Sequence, residues 1–410
     1  MKNSFRLLSQ NPLFYGGLVT ISGGLLASIM SYAYYFIFGR IMSPVLYGEL
    51  TTIISIWTII LTFFSSFGAV IVKYSAKKDP LQGAMIYSWI NRDILKLILT
   101  VCITIILSSA FLVKILNIDL VTFFLLAPII YFSAFSMLYG SIIQGALKFN
   151  QLTILNLLSI FTRLVTGLLL FFIGMGLFGV IAGILVGSIS SYFLAKHYVN
   201  LLNLPVSKIK IDREKILKYA FPAMVTFLAI GSLFSSDMIL AKIYLEPNEA
   251  GVFAATSVMG KIIFYFSAPL TSVVFSISAR KNSEGKKTIQ TFLSSLVFVS
   301  ISCLLITGLY KLYPEFITTK IFGNNYIQSA KHLFEYGLFT SIFSISSLIA
   351  NYYLSLGFMG ISYLAVTAAI IQILGITLFH STINDIIFIS TITCILLIIF
   401  QVIYGIKKYI

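Results

Sequence analysis

Long apolar stretches alternate with short polar ones along the whole chain. Each apolar stretch has about 20 residues or more, which is enough for a helix to cross a hydrocarbon core of ~30 Å. Transmembrane strands would instead need alternating segments of ~10 residues, and the sequence has no such alternation. We therefore predict twelve transmembrane helices, at residues 13–39, 50–72, 94–113, 120–146, 151–173, 177–199, 216–241, 250–279, 289–312, 333–356, 360–380 and 384–406.

The composition agrees with an all-α, polytopic membrane protein. Of the 410 residues, 59% are hydrophobic and 10% are charged, and the mean hydropathy is +0.99. Soluble domains carry about 25% charged residues. The first span is too long for a cleavable signal peptide, and a second span follows almost at once. The gaps between spans are short, so we expect no attached soluble domain.

The net charge of +15 raises the question of a nucleic-acid partner, but the positions of the charges argue against one. With a cytoplasmic N-terminus, twenty of the 28 Lys and Arg residues fall inside, six fall outside, and Arg163 and Lys261 lie within spans. An excess of Lys and Arg in cytoplasmic loops is the usual determinant of orientation. The charges therefore predict that both termini are cytoplasmic and that the inner surface attracts anionic membrane lipids.

The chain shows signs of an internal repeat. The most basic linker, 201–218, separates six spans in 1–200 from six spans in 219–410, so both halves should have the same orientation. GRIMSPVLYGEL (39–50) follows the first span and AKIYLEPNEAGVF (241–253) follows the seventh. Both place a proline four residues before a glycine, with an offset of 203 residues between the two stretches. The prediction is two six-helix bundles related by a parallel repeat.

These stretches resemble a known family. SSDMILAKIYLEPNEAGVFAATSVMGKI (235–262) is similar to the seventh and eighth spans of the polysaccharide flippases, which belong to the multidrug/oligosaccharidyl-lipid/polysaccharide exporter superfamily. The family typically has a proline early in the seventh span, an aspartate near its end and an E-x-G-x-[YF] turn, here Pro222, Asp237, Glu249, Gly251 and Phe253. The aspartate is often followed by a basic residue, and this chain departs from the pattern with Met238.

The resemblance implies a function as well as a fold. The family fold has two six-helix bundles around a central cavity that opens alternately to each side of the membrane. The implied substrate is an undecaprenyl-pyrophosphate-linked oligosaccharide, moved across the bacterial plasma membrane for O-antigen or capsule synthesis. Membrane lipids and a polysaccharide polymerase are the implied partners. No cofactor and no enzymatic activity are expected.

Arg163 interrupts the apolar run LSIFTRLVTGLLLFF (158–172). The surrounding Leu, Ile, Phe and Val residues more than offset the ~2.5–3.5 kcal/mol insertion cost of a central arginine. An arginine at this depth should face a partner or water and not lipid. Asn156, Ser159, Arg163 and Thr166 recur at helical spacing and share one face. This polar stripe predicts a bundle interior or hydrated lumen, in which Arg163 and Asn156 contact substrate.

Two other ionisable residues, Lys261 and Asp237, lie inside predicted spans. Lys261 is a candidate substrate ligand, since an excess of cations suits a pyrophosphate. Asp237 is a candidate ion-coupling group, and Arg40, beside the first turn, is a weaker candidate ligand. Structural alternatives remain open: Arg163 or Lys261 pairing with Asp237, Lys261 extending to the interface, and Arg40 serving as an interfacial anchor. The cysteines and histidines show no metal-site spacing.

Other functions of the same broad class remain open. A multidrug efflux antiporter of the superfamily exports mainly cations and should bury acidic groups in its first half, where the predicted spans place none deeply. Lipid II flippases typically have fourteen spans, which disfavours that branch. An integral-membrane polysaccharide polymerase or glycosyltransferase should show a large outer loop or an acidic cluster, and the sequence has neither. ATP-driven transport by this chain is disfavoured because it has no GxxxxGK[ST] motif.

Overall fold

The computed structural model describes residues 12–75, 80–204, 213–283, 285–358 and 360–409. Within these ranges the chain is helical and contains no strand, which confirms the predicted fold class. The long helices are α1 (Pro12–Ile41), α2 (Pro44–Ser75), α3 (Pro80–Trp89 and Leu95–Leu116), α4 (Leu120–Phe124 and Leu126–Gly145), α5 (Phe149–Leu170), α6 (Gly176–Asn200), α7 (Arg213–Tyr244), α8 (Pro247–Ser283), α9 (Ile289–Leu312), α10 (Ala330–Ser355), α11 (Ile361–Leu378) and α12 (Ile383–Tyr409).

The chain is an integral membrane protein by the length and composition of these helices. Ten helical stretches of the described chain are long and apolar enough to span a membrane, and one of them, Phe149–Asn200, contains both α5 and α6.

Helix α9 shows how the faces are arranged. It buries Cys303, Thr307 and Tyr310, whereas Leu304 is 72% exposed. Small polar groups on the inner face and leucines on the outer face suit a lipid environment, in which the solvent is apolar.

Helix α3 is longer than the span predicted at 94–113 and contains it. The span was predicted from residue 94, but the helix starts at Pro80 and continues through a π-helical turn, Ile90–Ile94. The polar group Asn91-Arg92-Asp93 suggests a loop in sequence, yet it belongs to this continuous helix. The Asn91 amide donates to the Tyr87 carbonyl and accepts from the Tyr139 hydroxyl, at 2.8 and 2.7 Å. Local hydrogen bonds thus accommodate the polar residues within the helix.

The chain divides into two compact units that are each discontinuous in sequence. The first unit contains residues 1–34 and 60–224, and the second contains residues 35–59 and 225–410. The end of α1 and the first half of α2 therefore belong with α7–α12. The predicted division into 1–200, a linker at 201–218 and 219–410 remains a prediction about the sequence repeat. Residues 205–212 of that linker lie outside the described residues.

Packing inside the two units follows the same scheme. In the first unit α4 packs against α3 and α6, and α5 packs against α6. In the second unit α10 packs against α9 and α12, and α11 packs against α12. The pairs α3–α4, α4–α6 and α5–α6 thus correspond to α9–α10, α10–α12 and α11–α12, in which each helix number is larger by six. This correspondence agrees with the repeat that was predicted from the two turn sequences.

The two repeated turns have the same backbone structure. A two-residue connection joins α1 to α2 and another joins α7 to α8. In the first turn the Met42 amide donates to the Phe38 carbonyl, and in the second the Leu245 amide donates to the Ala241 carbonyl. A second pair of bonds, Tyr47 to Ser43 and Ala250 to Glu246, keeps the 203-residue offset. Pro44 and Pro247 each begin a helix, where proline's missing amide proton costs nothing.

The starts of α2 and α8 lie in direct backbone contact within the second unit. A methyl group added at Gly251 would overlap the carbonyl of Pro44. One added at Gly48 would come within 3.2 Å of the Gly251 nitrogen. The two glycines of the repeated sequence therefore face one another. Gly251 cannot carry a side chain at this separation, whereas the contact at Gly48 is close but less severe.

Reporter fusions test the predicted orientation of these helices. Fusions after residues 80, 210, 284 and 408 should be cytoplasmic, and those near 117 and 325 should be external, because of the uneven distribution of Lys and Arg. In the structure Pro80 begins α3 and Asn117 follows its end, so this pair brackets a single helix. Asn325 lies between α9 and α10. A cytoplasmic signal at 325 would contradict the arrangement of six helices plus six.

Candidate functional site

Arg163 is held at the interface between α5 and α6, inside the first unit. Glycines on α6 let the two helices approach closely: a methyl group at Gly183 would come within 2.9 Å of the Arg163 carbonyl oxygen. At Gly187 it would come within 2.9 Å of the Arg163 Cβ atom. Close packing over small residues is a common way to join membrane helices. The same packing fixes the arginine backbone and the first part of its side chain.

The guanidinium group of Arg163 lies over the ring of Tyr34, with Cζ 4.4 Å from the ring centroid. Its Nε atom is buried and has no hydrogen-bond partner within the described part of the chain. A cation–π contact stabilises a cation by about 0.5–2 kcal/mol, depending on its exposure to solvent. It does not satisfy an N–H donor. A buried N–H donor without a partner is costly, and a water molecule or a ligand atom that accepts a hydrogen bond from it would remove this cost.

The polar stripe on α5 is only partly enclosed. Asn156 is exposed, whereas Ser159, Arg163 and Thr166 are half-buried. The Thr166 hydroxyl lies 3.5 Å from the Gly183 carbonyl, and a methyl group at Gly187 would meet the Ser159 carbonyl. One edge of the stripe therefore follows the contact with α6. The roles of Asn156 and Arg163 in substrate binding remain predictions.

Asp237 and Lys261 form a buried ion pair in the second unit. The Lys261 Nζ atom lies 3.4 Å from Asp237 Oδ1, and their side chains are 11% and 1% exposed. Lys261 also lies over the ring of Phe234, with Nζ 4.8 Å from the centroid. The structure thus brings together two residues that the sequence singled out, in the arrangement that was left open as a structural alternative. Their formal charges cancel.

A tyrosine that the sequence analysis missed completes this site. The Tyr336 hydroxyl, on α10, donates to Asp237 Oδ2 and lies 2.9 Å from the Ser257 hydroxyl. Both carboxylate oxygens of Asp237 therefore have a partner. Tyr336 is 99 residues away from Asp237 in sequence, and nothing in its local sequence distinguishes it from other tyrosines. Only the packing of α10 against α8 identifies it.

A second ion pair lies beside the contact between the two turns. Lys242 and Glu49 are 3.6 Å apart, and their side chains are 2% and 14% exposed. Lys242 is one of the six cations that the predicted topology places on the outer side, and in the structure it is buried in the last turn of α7. A cation in the last turn of a helix is favoured by the helix dipole. This pair joins α7 to the start of α2.

Arg40 has backbone partners in a loop of the same unit. Its Nε atom donates to the Ile321 carbonyl at 2.9 Å, and its terminal nitrogen donates to the Lys320 carbonyl. These carbonyls end the short helix Pro314–Ile321, where cations are favoured. The contacts anchor the end of α1 to the segment between α9 and α10. Arg40 is otherwise exposed, and its role in substrate binding stays a prediction.

The described residues offer few other acidic groups for chemistry. They contain no group of three or more His, Cys, Asp or Glu that could hold a metal. Asp93 lies in the π-helical turn of α3 and pairs with Arg92 at 3.1 Å. Asp119 accepts from the Thr122 amide and so caps a helix. The acidic groups of the first unit that the structure describes are thus paired locally or used as caps.

Comparison with known proteins identifies a family and a shared fold. A family model described as "Polysaccharide biosynthesis protein" matches residues 13–281. No curated protein sequence matches significantly. Among solved structures, the lipid II flippase MurJ in an inward closed conformation is similar with a TM-score of 0.78 and 16% identity, over 95% of this chain and 87% of that one.

Multidrug transporters share the fold as well. An inward-facing MATE family transporter of the MOP superfamily is similar with a TM-score of 0.72 and 15% identity, over 96% of this chain and 99% of that one. The eukaryotic MATE transporter AtDTX14 gives a TM-score of 0.72 and 12% identity, over 98% and 96% of the two chains. The fold is thus common to a lipid II flippase and to MATE transporters.

Proposed function

Because the chain belongs to the polysaccharide biosynthesis protein family and has the fold of MOP-superfamily transporters, we propose that it is a lipid-linked oligosaccharide flippase. It moves a polyprenyl-pyrophosphate-linked repeat unit to the outer leaflet of the bacterial plasma membrane by alternating access. The repeat unit then serves O-antigen or capsule synthesis. Both termini lie in the cytoplasm, and a polysaccharide polymerase uses the product.

The buried, unsatisfied donor of Arg163 is the observation that carries this proposal. A guanidinium can bind two phosphate oxygens at once through parallel N–H donors. Within the described chain, no carboxylate pairs with this arginine, and its guanidinium lies over the ring of Tyr34. A pyrophosphate would supply the missing acceptors. Asn156, on the same face of α5, adds an amide that can bind the first sugar or the phosphate.

The second unit contributes a neutral charge pair in this proposal. Asp237 and Lys261 are ion-paired in the structure, so Lys261 offers no net positive charge to a substrate. Proton binding by Asp237 would release Lys261, which could then bind the anionic group. The pair is therefore the candidate for coupling, with Asp237 as the proton acceptor and Lys261 as the substrate ligand. Arg40 acts near the outer end of α1, where substrate leaves.

The efflux antiporter is the second candidate, because the same fold occurs in multidrug transporters. That function requires an acidic group in the first unit to bind cations or protons. Asp93 is the described acidic residue within α3, but its charge is offset by Arg92. Arg163, in contrast, puts a cation on the face where a cationic drug would have to bind. The electrostatics favour an anionic substrate.

Substitution of Arg163 tests the flippase function. Arg163→Ala should abolish surface polysaccharide, because the pyrophosphate loses its paired donors. Arg163→Lys should restore it only in part, since an ammonium has the charge but not the planar geometry. Surface polysaccharide and protein abundance would be measured in cells that lack the native copy. Flipping of the lipid-linked oligosaccharide would be measured in vesicles.

Lys196→Ala is the matched control. Lys196 also lies over an aromatic ring, 5.8 Å from the Tyr192 centroid, but near the end of α6. Its removal should leave polysaccharide near normal. Normal polysaccharide in the Arg163→Ala strain would remove the arginine from substrate binding. A strain that lacks the whole protein gives a further test. If it loses resistance to cationic dyes and its surface polysaccharide is unaffected, the antiporter is favoured.

A further inference from the structure

A cavity of about 840 Å³ lies at one end of the second unit. Its walls come from the ends of α8, α10 and α12 and from the start of α9. This end carries residue 408, so the predicted orientation places it on the cytoplasmic side. Asp237 and Lys261 are not among the residues that line it. The cavity is therefore separate from the charge pair described above.

The wall of the cavity is aromatic and aliphatic. Phe292 stacks on Tyr352 with ring centroids 4.4 Å apart, and the Tyr352 hydroxyl bonds to Thr288 at 2.8 Å. This bond satisfies the polar end of Tyr352, and its ring is buried against Phe292. Val402 and Ile406 complete the wall on α12 and are 45% and 54% exposed, so they also belong to the outer surface of the unit. A cavity with such walls suits hydrocarbon and not water.

The mouth of the cavity is basic. Lys286 and Lys287, in the connection between α8 and α9, line it and are exposed. No Asp or Glu lines it among the described residues. Along the sequence, residues 280–287 contain four Lys or Arg and one Glu. An apolar cavity that reaches the outer surface beneath a pair of lysines matches a lipid with an anionic headgroup.

We propose that this cavity binds one anionic phospholipid of the cytoplasmic leaflet. One acyl chain lies against Phe292, Tyr352 and Ile406, and the phosphate group lies between Lys286 and Lys287. Basic pockets between membrane helices bind phospholipid headgroups by this chemistry. The volume suits a ligand of drug-like size, which corresponds to one acyl chain with its phosphate. The tail of a polyprenyl carrier is much longer. This site does not depend on the proposed flippase substrate.

Native mass spectrometry of the full chain, after removal of co-purified lipid, tests the site. Phosphatidylglycerol and phosphatidylethanolamine with the same acyl chains would be added in turn. We expect one phosphatidylglycerol to bind about tenfold more tightly than phosphatidylethanolamine, as two lysines near a phosphate can provide. Lys286→Gln with Lys287→Gln should abolish this preference. Leu296→Trp, which fills the cavity from α9, should weaken binding of both lipids.

Two control variants separate the site from general effects. Lys96→Gln with Lys148→Gln removes two exposed lysines away from the cavity and should keep the preference. Leu293→Trp adds the same bulk at an exposed position outside the cavity and should bind both lipids normally. Equal affinity of the wild-type protein for the two lipids would overturn the proposal. So would an unchanged preference in the double glutamine variant, or tighter binding of undecaprenyl phosphate at the same residues.

Discussion

Gly251→Ala is expected to destabilise the protein strongly, by about 3 kcal/mol, which is the upper part of the usual range for overpacking. The added methyl group would overlap the Pro44 carbonyl, which is backbone and cannot move aside as a side chain can. Helices α2 and α8 would have to separate where the two repeated turns meet. Thermal unfolding of the purified full-length protein and its abundance in membranes would measure the effect. A loss of this size should lower abundance at least several-fold.

A graded series of glycine variants makes this prediction sharper. Gly48→Ala should cost less, because its methyl group would come 3.2 Å from the Gly251 nitrogen and a small shift relieves the contact. Gly308→Ala is the matched control, since it lies in α9 with no other atom within 4 Å of the added methyl. It should unfold at or above the wild-type temperature, because alanine favours helix. Equal unfolding temperatures for the Gly251 and Gly308 variants would contradict the close contact.

Removing one partner of the Asp237–Lys261 pair should also have a large effect. Lys261→Met leaves a buried carboxylate without its cation, a change that typically costs about 3–5 kcal/mol. Protein abundance and thermal stability should fall, although Tyr336 still donates to Asp237. Adding Asp237→Asn should restore most of the loss, since no buried charge then remains unpaired. The same recovery follows whether the pair is purely structural or also functional.

Transport separates those two roles. If Asp237 couples transport to protons, Asp237→Asn alone, which keeps Lys261 as the substrate ligand, should be unable to respond to a pH gradient imposed on vesicles. The Lys242–Glu49 pair is the matched control, because it is similarly buried. Glu49→Gln with Lys242→Met should restore both abundance and gradient-driven flipping relative to Lys242→Met alone. Full gradient-driven transport by the Asp237→Asn variant would leave Asp237 as a charge partner only.

Local sequence was sufficient for the helices and the repeat. Apolar length predicts the spans because a helix in lipid must satisfy its own backbone. The turns at Pro44 and Pro247 were predictable because proline and glycine act on the neighbouring backbone alone. The beginning of α3 was not, because the side-chain bonds of Asn91 offset the polarity that suggests a loop.

Contacts between distant segments could not be predicted from the sequence. The pairing of Asp237 with Lys261 was one alternative among several, since both charges were known but not their separation. Tyr336 carried no signal, because any of the 23 tyrosines has the same hydroxyl. For Arg40 the sequence left open a ligand for substrate and an interfacial anchor, and it could not identify the backbone carbonyls that the side chain contacts, because every residue has one. The contact partner of such a side chain can be identified only from the packing of the helices.

The contact between the two turns also sets a delay during biosynthesis. The turn at Met42 leaves the ribosome 203 residues before its counterpart at Leu245, which corresponds to roughly 10–40 s at 5–20 residues per second. Throughout that interval Glu49 has no Lys242 to pair with, and the first half of α2 lacks the unit to which it belongs. The end of α1 and the first half of α2 must therefore remain without these contacts until α8 is inserted. During this period Glu49 and Gly48 lie in the nascent chain before the helices they will contact have been made.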